Sequence, residues 1–176
     1  MTARAPLRVA PLTAADVSRY RELMLHAYAS APDAFTSTPE ERAAMPESWW
    51  SARIADPKGM AQAFGAFVGE DLVGTVAIEF SAKPKTRHKA HLIGMFVDES
   101  ARGLGAGKAL MRVVLDHVAG RPGLKTITLT VTQGNAPAVA LYNLFGFREF
   151  GIEPMAIASS DGFKAKVHMV LALDER

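Results

Sequence analysis

Three glycines, Gly103, Gly105 and Gly107, separate an apolar segment at 91–97 from an amphipathic segment that ends near residue 119. Backbone N–H groups at the start of a helix have no partner inside the helix, and the helix dipole adds positive charge there. Glycines lack the Cβ atoms that would keep a phosphate group away from those N–H groups. The stretch therefore predicts a loop that binds a phosphate-bearing ligand.

The spacing of these glycines excludes two common phosphate loops. Alternate glycines do not fit the G-x-G-x-x-G fingerprint of dinucleotide-binding domains. A nucleoside-triphosphate loop needs Ser or Thr after its lysine, and Ala109 follows Lys108. The pattern that remains is R-x-x-G-x-G, filled by Arg102, Gly105 and Gly107. It resembles the pyrophosphate-binding loop of the GCN5-related N-acetyltransferases (GNAT family).

A second motif follows a β-branched run at 125–131. The family pattern N-x-x-A-x-x-L-Y-x-x-x-G-F is matched at Asn135, Ala138, Leu141, Tyr142, Gly146 and Phe147. Asn135 is a favourable N-cap for a helix, and spacings of three and four place it on one helix face with Ala138 and Tyr142. Two motifs in the family's order identify the chain as resembling this family from about residue 7 to residue 173.

Composition limits the other classes of function. The 176 residues, 49% hydrophobic and 22% charged, predict a single N-acetyltransferase domain over 1–176. The chain has no cysteine, so the acetyl group must pass directly from cofactor to acceptor without a cysteine relay. A net charge of +2 and a basic loop at 82–89 without interleaved aromatic residues argue against a nucleic-acid partner. No apolar run is long enough to span a membrane, which predicts a cytoplasmic protein with no membrane partner. No histidines have the spacing of paired metal ligands, which predicts that no metal is bound.

The hydrophobic periodicity predicts strands at 7–11, 61–68, 72–80, 90–97 and 125–131 and a last strand pair at 148–155 and 164–173. Helices are expected after a Thr13–Asp16 capping box, at 47–55, at 105–119 and after Asn135. With this order, the resemblance implies the α/β (α+β) acetyltransferase fold. That fold has a mixed, mostly antiparallel sheet of six to seven strands, splayed at its central strands, with about four helices on both faces.

The resemblance implies acetyl-CoA as the co-substrate and assigns its contacts. The pantetheine arm is expected to lie in the gap beside strand 90–97, and the loop N–H groups are expected to bind the pyrophosphate. The cofactor-binding residues expected on this basis are Met95, Phe96, Val97, Arg102, Gly103, Leu104, Gly105, Ala106, Gly107, Lys108, Asn135, Ala138 and Tyr142.

Acyl transfer to an amine needs a base for the amine and a proton donor for the leaving thiolate. Tyr142 stands at the family's general-acid position. His91 falls where several members have a catalytic glutamate, and its ordinary pKa of about 6.5 suits a base; a purely structural histidine is the alternative. Glu79 on the neighbouring strand is the second candidate base, and reaction of the neutral amine without a protein base is a third route. Strict alternation would place His91 on the same strand face as Ile93, Met95 and Val97.

The acceptor site carries no sequence signature. In this fold the first helices and the last hairpin wall it, which makes Phe35, Trp49, Glu153 and Met155 candidate substrate contacts. The expected function is acetyl-CoA-dependent N-acetylation of a primary amine, either in a small molecule or at a protein N-terminus. A catalytically silent CoA-binding or regulatory domain of the same fold is the alternative, and a homodimer is compatible with the family.

Overall fold

The computed structural model describes residues 5–173, so the two ends of the expected domain, 1–4 and 174–176, lie outside the described residues. Seven strands form one sheet in the order β1-β2-β3-β4-β5-β7-β6, and every neighbouring pair is antiparallel except β4 and β5. The strands are β1 (Leu7–Pro11), β2 (Ala61–Val68), β3 (Asp71–Phe80), β4 (Lys89–Val97), β5 (Thr126–Thr132), β6 (Arg148–Ser159) and β7 (Gly162–Ala172). The expected mixed sheet is confirmed.

Five α-helices accompany the sheet within the described residues, one more than expected. They are α1 (Val17–Ser30), α2 (Pro39–Ala43), α3 (Glu47–Ile54), α4 (Ala106–Ala119) and α5 (Ala136–Leu144). The additional helix is α2, in the segment 30–46, whose Pro, Ser and Thr content indicated a loop with one turn of helix. It forms because the Thr38 hydroxyl accepts a hydrogen bond from the Glu41 N–H at 3.1 Å while Glu41 reaches back to the Thr38 N–H, a capping box with Pro39 in the first turn.

The two faces of the sheet bury separate apolar cores. One core contains α4 and Tyr142 of α5, packed on side chains such as Val76 and Leu92. The other contains α1 and α3, packed on side chains such as Ala63 and Ala77. Both faces of β4 are therefore covered, which explains why its sequence is apolar at consecutive positions.

The last hairpin is longer than its sequence pattern indicated. The pattern ends β6 at Met155, whereas the strand continues to Ser159 and turns at Ser160 and Asp161. The pairing of β6 with β7 is irregular at two points, after Glu149 and after Glu153, which obscures a regular period of two in the sequence. Within the described residues, no helix is both long and apolar enough to cross a membrane.

Candidate active site

The central feature of the site is a gap between β4 and β5. Their parallel ladder contains only three residue pairs and ends at His91 opposite Thr128, although β4 continues to Val97. Beyond that point one edge of β4 faces the gap, while its other edge stays paired with β3. An exposed strand edge offers N–H and C=O groups to an extended ligand in the same way that it offers them to another strand.

A β-bulge at Gly94 changes which side chains face which core. Phe96 pairs with Thr75 and Ile93 pairs with Ala77, so β4 has one more residue than β3 in this interval. Gly94 has φ +60, a left-handed conformation that favours glycine.

The side-chain contacts follow this shift. Met95 and Val97 pack on the α4 core, whereas Ile93 packs on the α1 core. Phe96 also faces α1, where its ring centroid lies 6.1 Å from that of His26. The expectation that His91 shares a face with Met95 and Val97 is therefore wrong, because the bulge interrupts the alternation between them.

The glycine loop has the geometry of an anion site. Gly105 caps α4 in the left-handed conformation, with φ +77, and no side chain caps the helix. The Leu104 N–H is already used, donating to the Ala101 carbonyl at 3.4 Å, and its side chain does not line the adjoining cavity. In the part of the chain that is described, the N–H groups of Gly103 and of 105–108 donate to no protein acceptor.

A surface cavity of about 640 Å³ lies directly above this loop. Its floor is formed where α4 and α5 approach closely: a Cβ atom on Gly107 would lie 3.2 Å from a Leu141 methyl group. The lining residues are Val97, Ala101, Arg102, Gly103, Gly105, Ala106, Gly107, Lys108, Pro137, Ala140, Leu141 and Leu144. The cavity thus combines backbone donors, two cationic side chains and an apolar wall.

A second cavity, of about 250 Å³, fills the gap between β4 and β5 and is called the central cleft below. It brings together six residues that the sequence nominated: Phe35, His91, Met95, Asn135, Ala138 and Tyr142. Its lining also includes Tyr28, Thr36, Ser37, Arg42, Arg53, Thr130, Thr132 and Lys166, which were not anticipated. Arg53 could have been noticed, because it lies four residues after Trp49 on α3 and shares its helix face.

Tyr142 is held in the wall of the central cleft by helix α5. The Asn135 side chain caps this helix by accepting a hydrogen bond from the Ala138 N–H at 3.3 Å. The Tyr142 side chain is buried, with its ring centroid 5.9 Å from that of Phe147. Burial raises the pKa of Tyr142 to about 12, because desolvation penalises the phenolate. The hydroxyl is therefore protonated throughout the neutral pH range.

His91 lies at the base of the central cleft, where the two strands separate. Its Nδ1 is 2.9 Å from the Thr128 hydroxyl oxygen, and that hydroxyl points toward the Ala90 carbonyl at 3.4 Å. Burial lowers the pKa of His91, and the positive charge of Lys166 acts in the same direction, while Glu79 opposes both. Glu79 is the cross-strand partner of His91 in the β3–β4 register, and it does not line the central cleft.

The four expected acceptor contacts differ in position. Phe35 lines the central cleft. Trp49 lies behind it and contacts the two arginines that do line it. Glu153 is exposed on β6, 2.9 Å from His168 Nε2, and Met155 is 68% exposed with φ 51. Neither residue reaches the central cleft, because β6 is the outermost strand, beyond β7.

Comparison with known proteins agrees with this geometry. A sequence model described as the acetyltransferase (GNAT) family matches residues 21–147, which is most of the chain. The chain therefore belongs to the acetyltransferase (GNAT) family. Its fold is similar to that of yncA from Salmonella typhimurium, whose structure was determined with its cofactor acetyl-CoA: the TM-score is 0.80 at 18% identity, over 98% of this chain and 96% of the other.

Two sequence relatives come from Escherichia coli K12. The L-amino acid N-acetyltransferase AaaT is 34% identical over 98 residues, which is 56% of this chain and 59% of the relative. The [ribosomal protein bS18]-alanine N-acetyltransferase is 33% identical over 85 residues, or 48% of this chain and 57% of the relative. The matches thus cover less than two thirds of either relative's length.

Proposed function

We propose that the chain is an acetyl-CoA-dependent N-acetyltransferase that transfers the acetyl group directly to a primary amine of an acceptor. The observation that carries this proposal is the central cleft, in which an open strand edge, Tyr142 and His91 meet. Relatives named for N-acetylation of L-amino acids and of a ribosomal-protein alanine support an amine as the acceptor. The acceptor is a small molecule or a protein N-terminus.

The residues around the gap fit acetyl-CoA. The unpaired N–H groups of Gly103 and of 105–108 would hold the pyrophosphate, with Arg102 and Lys108 adding positive charge. The open β4 edge at 95–97 would pair with the pantetheine arm, and Asn135 and Ala138 would line its other side. When bound, acetyl-CoA supplies an acetyl group activated as a thioester.

His91 is the proposed base. In this proposal the Thr128 hydroxyl donates to the Ala90 carbonyl, 3.4 Å away, and its oxygen accepts a hydrogen bond from Nδ1–H of the imidazole at 2.9 Å. This favours the tautomer in which Nε2 carries the free lone pair and accepts the proton that the amine loses. The lowered pKa of His91 keeps the ring neutral near pH 7, so it is ready to accept a proton.

Glu79 acts on His91 through its charge in this proposal. It faces His91 across the β3–β4 pair and raises the pKa of the imidazole, which opposes burial. A carboxylate in this position stabilises the imidazolium that forms once the amine proton has been taken. Glu79 would therefore strengthen the base without touching the acceptor.

Tyr142 is the proposed donor to the departing sulfur. A free thiol has a pKa of about 8.5, so complete transfer of a proton from a hydroxyl of pKa about 12 would be uphill by about 5 kcal/mol. Tyr142 therefore donates a hydrogen bond that strengthens as negative charge develops on the sulfur. The backbone N–H near Met95, freed by the gap, would stabilise charge on the carbonyl oxygen. The N–C bond forms as the C–S bond breaks; the amine proton passes to His91 and then to solvent, and the departing thiolate takes its proton from solvent.

The proposal is tested by titrating the protein with acetyl-CoA in a calorimeter and then measuring free-thiol release over a panel of amines. Binding with thiol release on one class of amine is the expected result. Binding without release on any amine would instead support the silent CoA-binding domain. No binding at all would contradict both functions.

A further inference from the structure

The central cleft is lined in part by positively charged side chains. Arg42 of α2 and Arg53 of α3 lie on one wall, and Lys166 of β7 also lines the cleft. Among the described residues that line it, none is Asp or Glu. A cleft with one sign of charge and low-dielectric walls raises the local concentration of oppositely charged ligands.

The two arginines are held around one aromatic ring. The Arg42 guanidinium carbon is 4.5 Å from the centroid of the Trp49 ring, and that of Arg53 is 5.1 Å away. Stacking on an indole fixes the plane of a guanidinium and leaves its N–H edge free for hydrogen bonds. Trp49 therefore positions both groups on the same wall of the cleft.

Neither arginine is neutralised by the protein. Within residues 5–173, no ion pair joins Arg42 or Arg53 to a carboxylate, and the Nε atom of each is buried without a hydrogen-bond partner. Partly buried cations without a counter-charge are unfavourable unless a ligand supplies one. The protein groups beside the two guanidiniums are neutral hydroxyls, Tyr28 beside Arg42 and Tyr20 beside Arg53, and each arginine opposes the effect of burial on the pKa of that tyrosine.

We propose that the amine acceptor is a small molecule that carries an anionic group, a carboxylate or a phosphorus oxyanion, and that Arg42 and Arg53 bind this group. The inference rests on the proposed function, because it assigns the acceptor of the same cleft. Planar guanidinium groups bind carboxylate and phosphate oxygens through paired N–H donors. A cleft of about 250 Å³ is at the small end for ligand sites, which favours a free amino acid or a compound of similar size.

The first experiment compares acceptors that differ only in charge. Thiol release is measured with each standard amino acid, its carboxamide, its decarboxylated amine and the matching aminoalkylphosphonic acid. We expect kcat/KM for at least one amino acid or phosphonic acid to exceed that for its neutral analogue at least thirtyfold. The relative rates of carboxylic and phosphonic acids identify which anion the site prefers. Equal or faster acetylation of the neutral analogues would overturn the inference while leaving the acetyltransferase function in place.

The second experiment uses variants and a readout that does not require turnover. Arg42→Gln and Arg53→Gln should each raise KM for the anionic acceptor at least tenfold and leave KM for neutral amines and the Kd of acetyl-CoA unchanged. Arg148→Gln, at an exposed arginine on β6, is the matched control and should change none of these values. A variant that weakens neutral and anionic acceptors equally would overturn the assignment of the anion to that arginine.

Binding of products separates the two proposals. In the presence of coenzyme A, N-acetylated amino acids should bind more tightly than their amides, and Arg53→Gln should abolish the difference. If acids bind preferentially while no amine is acetylated, the anion site is supported and the proposed enzymatic function fails. If acids and amides bind alike, the anion site is refuted whether or not the protein turns over.

Discussion

Substitution of Gly94 by alanine tests whether the β4 bulge positions the cofactor arm. A Cβ atom at this position would meet only Met24 Cε at 3.9 Å and the Tyr20 hydroxyl at 4.0 Å, which are ordinary contacts. The cost therefore comes from the backbone, because φ +60 is disfavoured for alanine by about 1 kcal/mol. For a domain of this size, that loss lowers Tm by about 2–4 °C.

The matched control is Gly59→Ala. Gly59 has φ +68 and no heavy atom within 4 Å of an added Cβ, so it has the same backbone cost far from the gap. Both variants should lose similar stability in thermal unfolding. Only Gly94→Ala should weaken acetyl-CoA in calorimetry, because a straightened β4 turns the Met95 backbone away from the arm.

The expected size of the binding effect is limited by the backbone strain at position 94. A ligand that must restore the bulge against about 1 kcal/mol binds up to about fivefold more weakly. If Gly94→Ala binds acetyl-CoA as tightly as Gly59→Ala does, at equal loss of stability, the bulge has no role in placing the arm. That result would refute the proposed backbone pairing along β4.

Three further outcomes are expected. Tyr142→Phe retains the ring packing but removes a hydrogen-bond donor to developing negative charge, so kcat should fall about 10²-fold. The Kd of acetyl-CoA should change little. Pre-steady-state thiol release and calorimetry measure the two effects, and an unchanged chemical rate would exclude Tyr142 as the donor. Burial lowers the pKa of His91 and of His117, so each histidine contributes stability above pH 6.5 that is lost as the pH falls toward the folded-state pKa. His91→Gln and His117→Gln should therefore both reduce the loss of stability at acidic pH, as measured by urea titrations. Only His91→Gln should also remove the acidic limb of the pH dependence of kcat/KM. Gly65→Ala places a Cβ 2.6 Å from two leucine methyl groups and should destabilise the fold by about 1–3 kcal/mol in denaturant unfolding, whereas no change would mean that the leucines rearrange freely.

Most of the fold could be predicted from local patterns. The β-branched run at 126–132, the hairpin at Gly69 and the caps at Thr13 and Asn135 all lie where the sequence indicated them. These features depend on residues a few positions apart, so a single sequence contains the information. Helix α2 was expected only as one turn within the loop at 30–46, because its Pro-rich surroundings are typical of a loop; the capping box of Thr38 and Glu41 was not recognised.

The missed parts of the site depend on contacts distant in the chain. The bulge at Gly94 is set by the pairing of β4 with β3, and a slip of one residue reverses every following side chain. Arg42 and Arg53 meet only because α2 and α3 pack beside Trp49. Glu153 was nominated because the last hairpin lines the acceptor site in this fold, whereas strand order puts β6 at the outer edge of the sheet.

The short ladder of three residue pairs between β4 and β5 also makes this the weakest connection between two halves of the sheet. Strands β1–β4 form one half and β5–β7 the other, and hydrogen bonds between the halves end at His91 and Thr128. A ligand paired along β4 and packed against α5 would connect the two halves across this seam. Its binding energy would therefore add to the free energy of unfolding of the whole domain. Amide exchange at the seam would then be fastest in the free protein and would slow on both halves together when the ligand binds, even though the ligand pairs with only one of them.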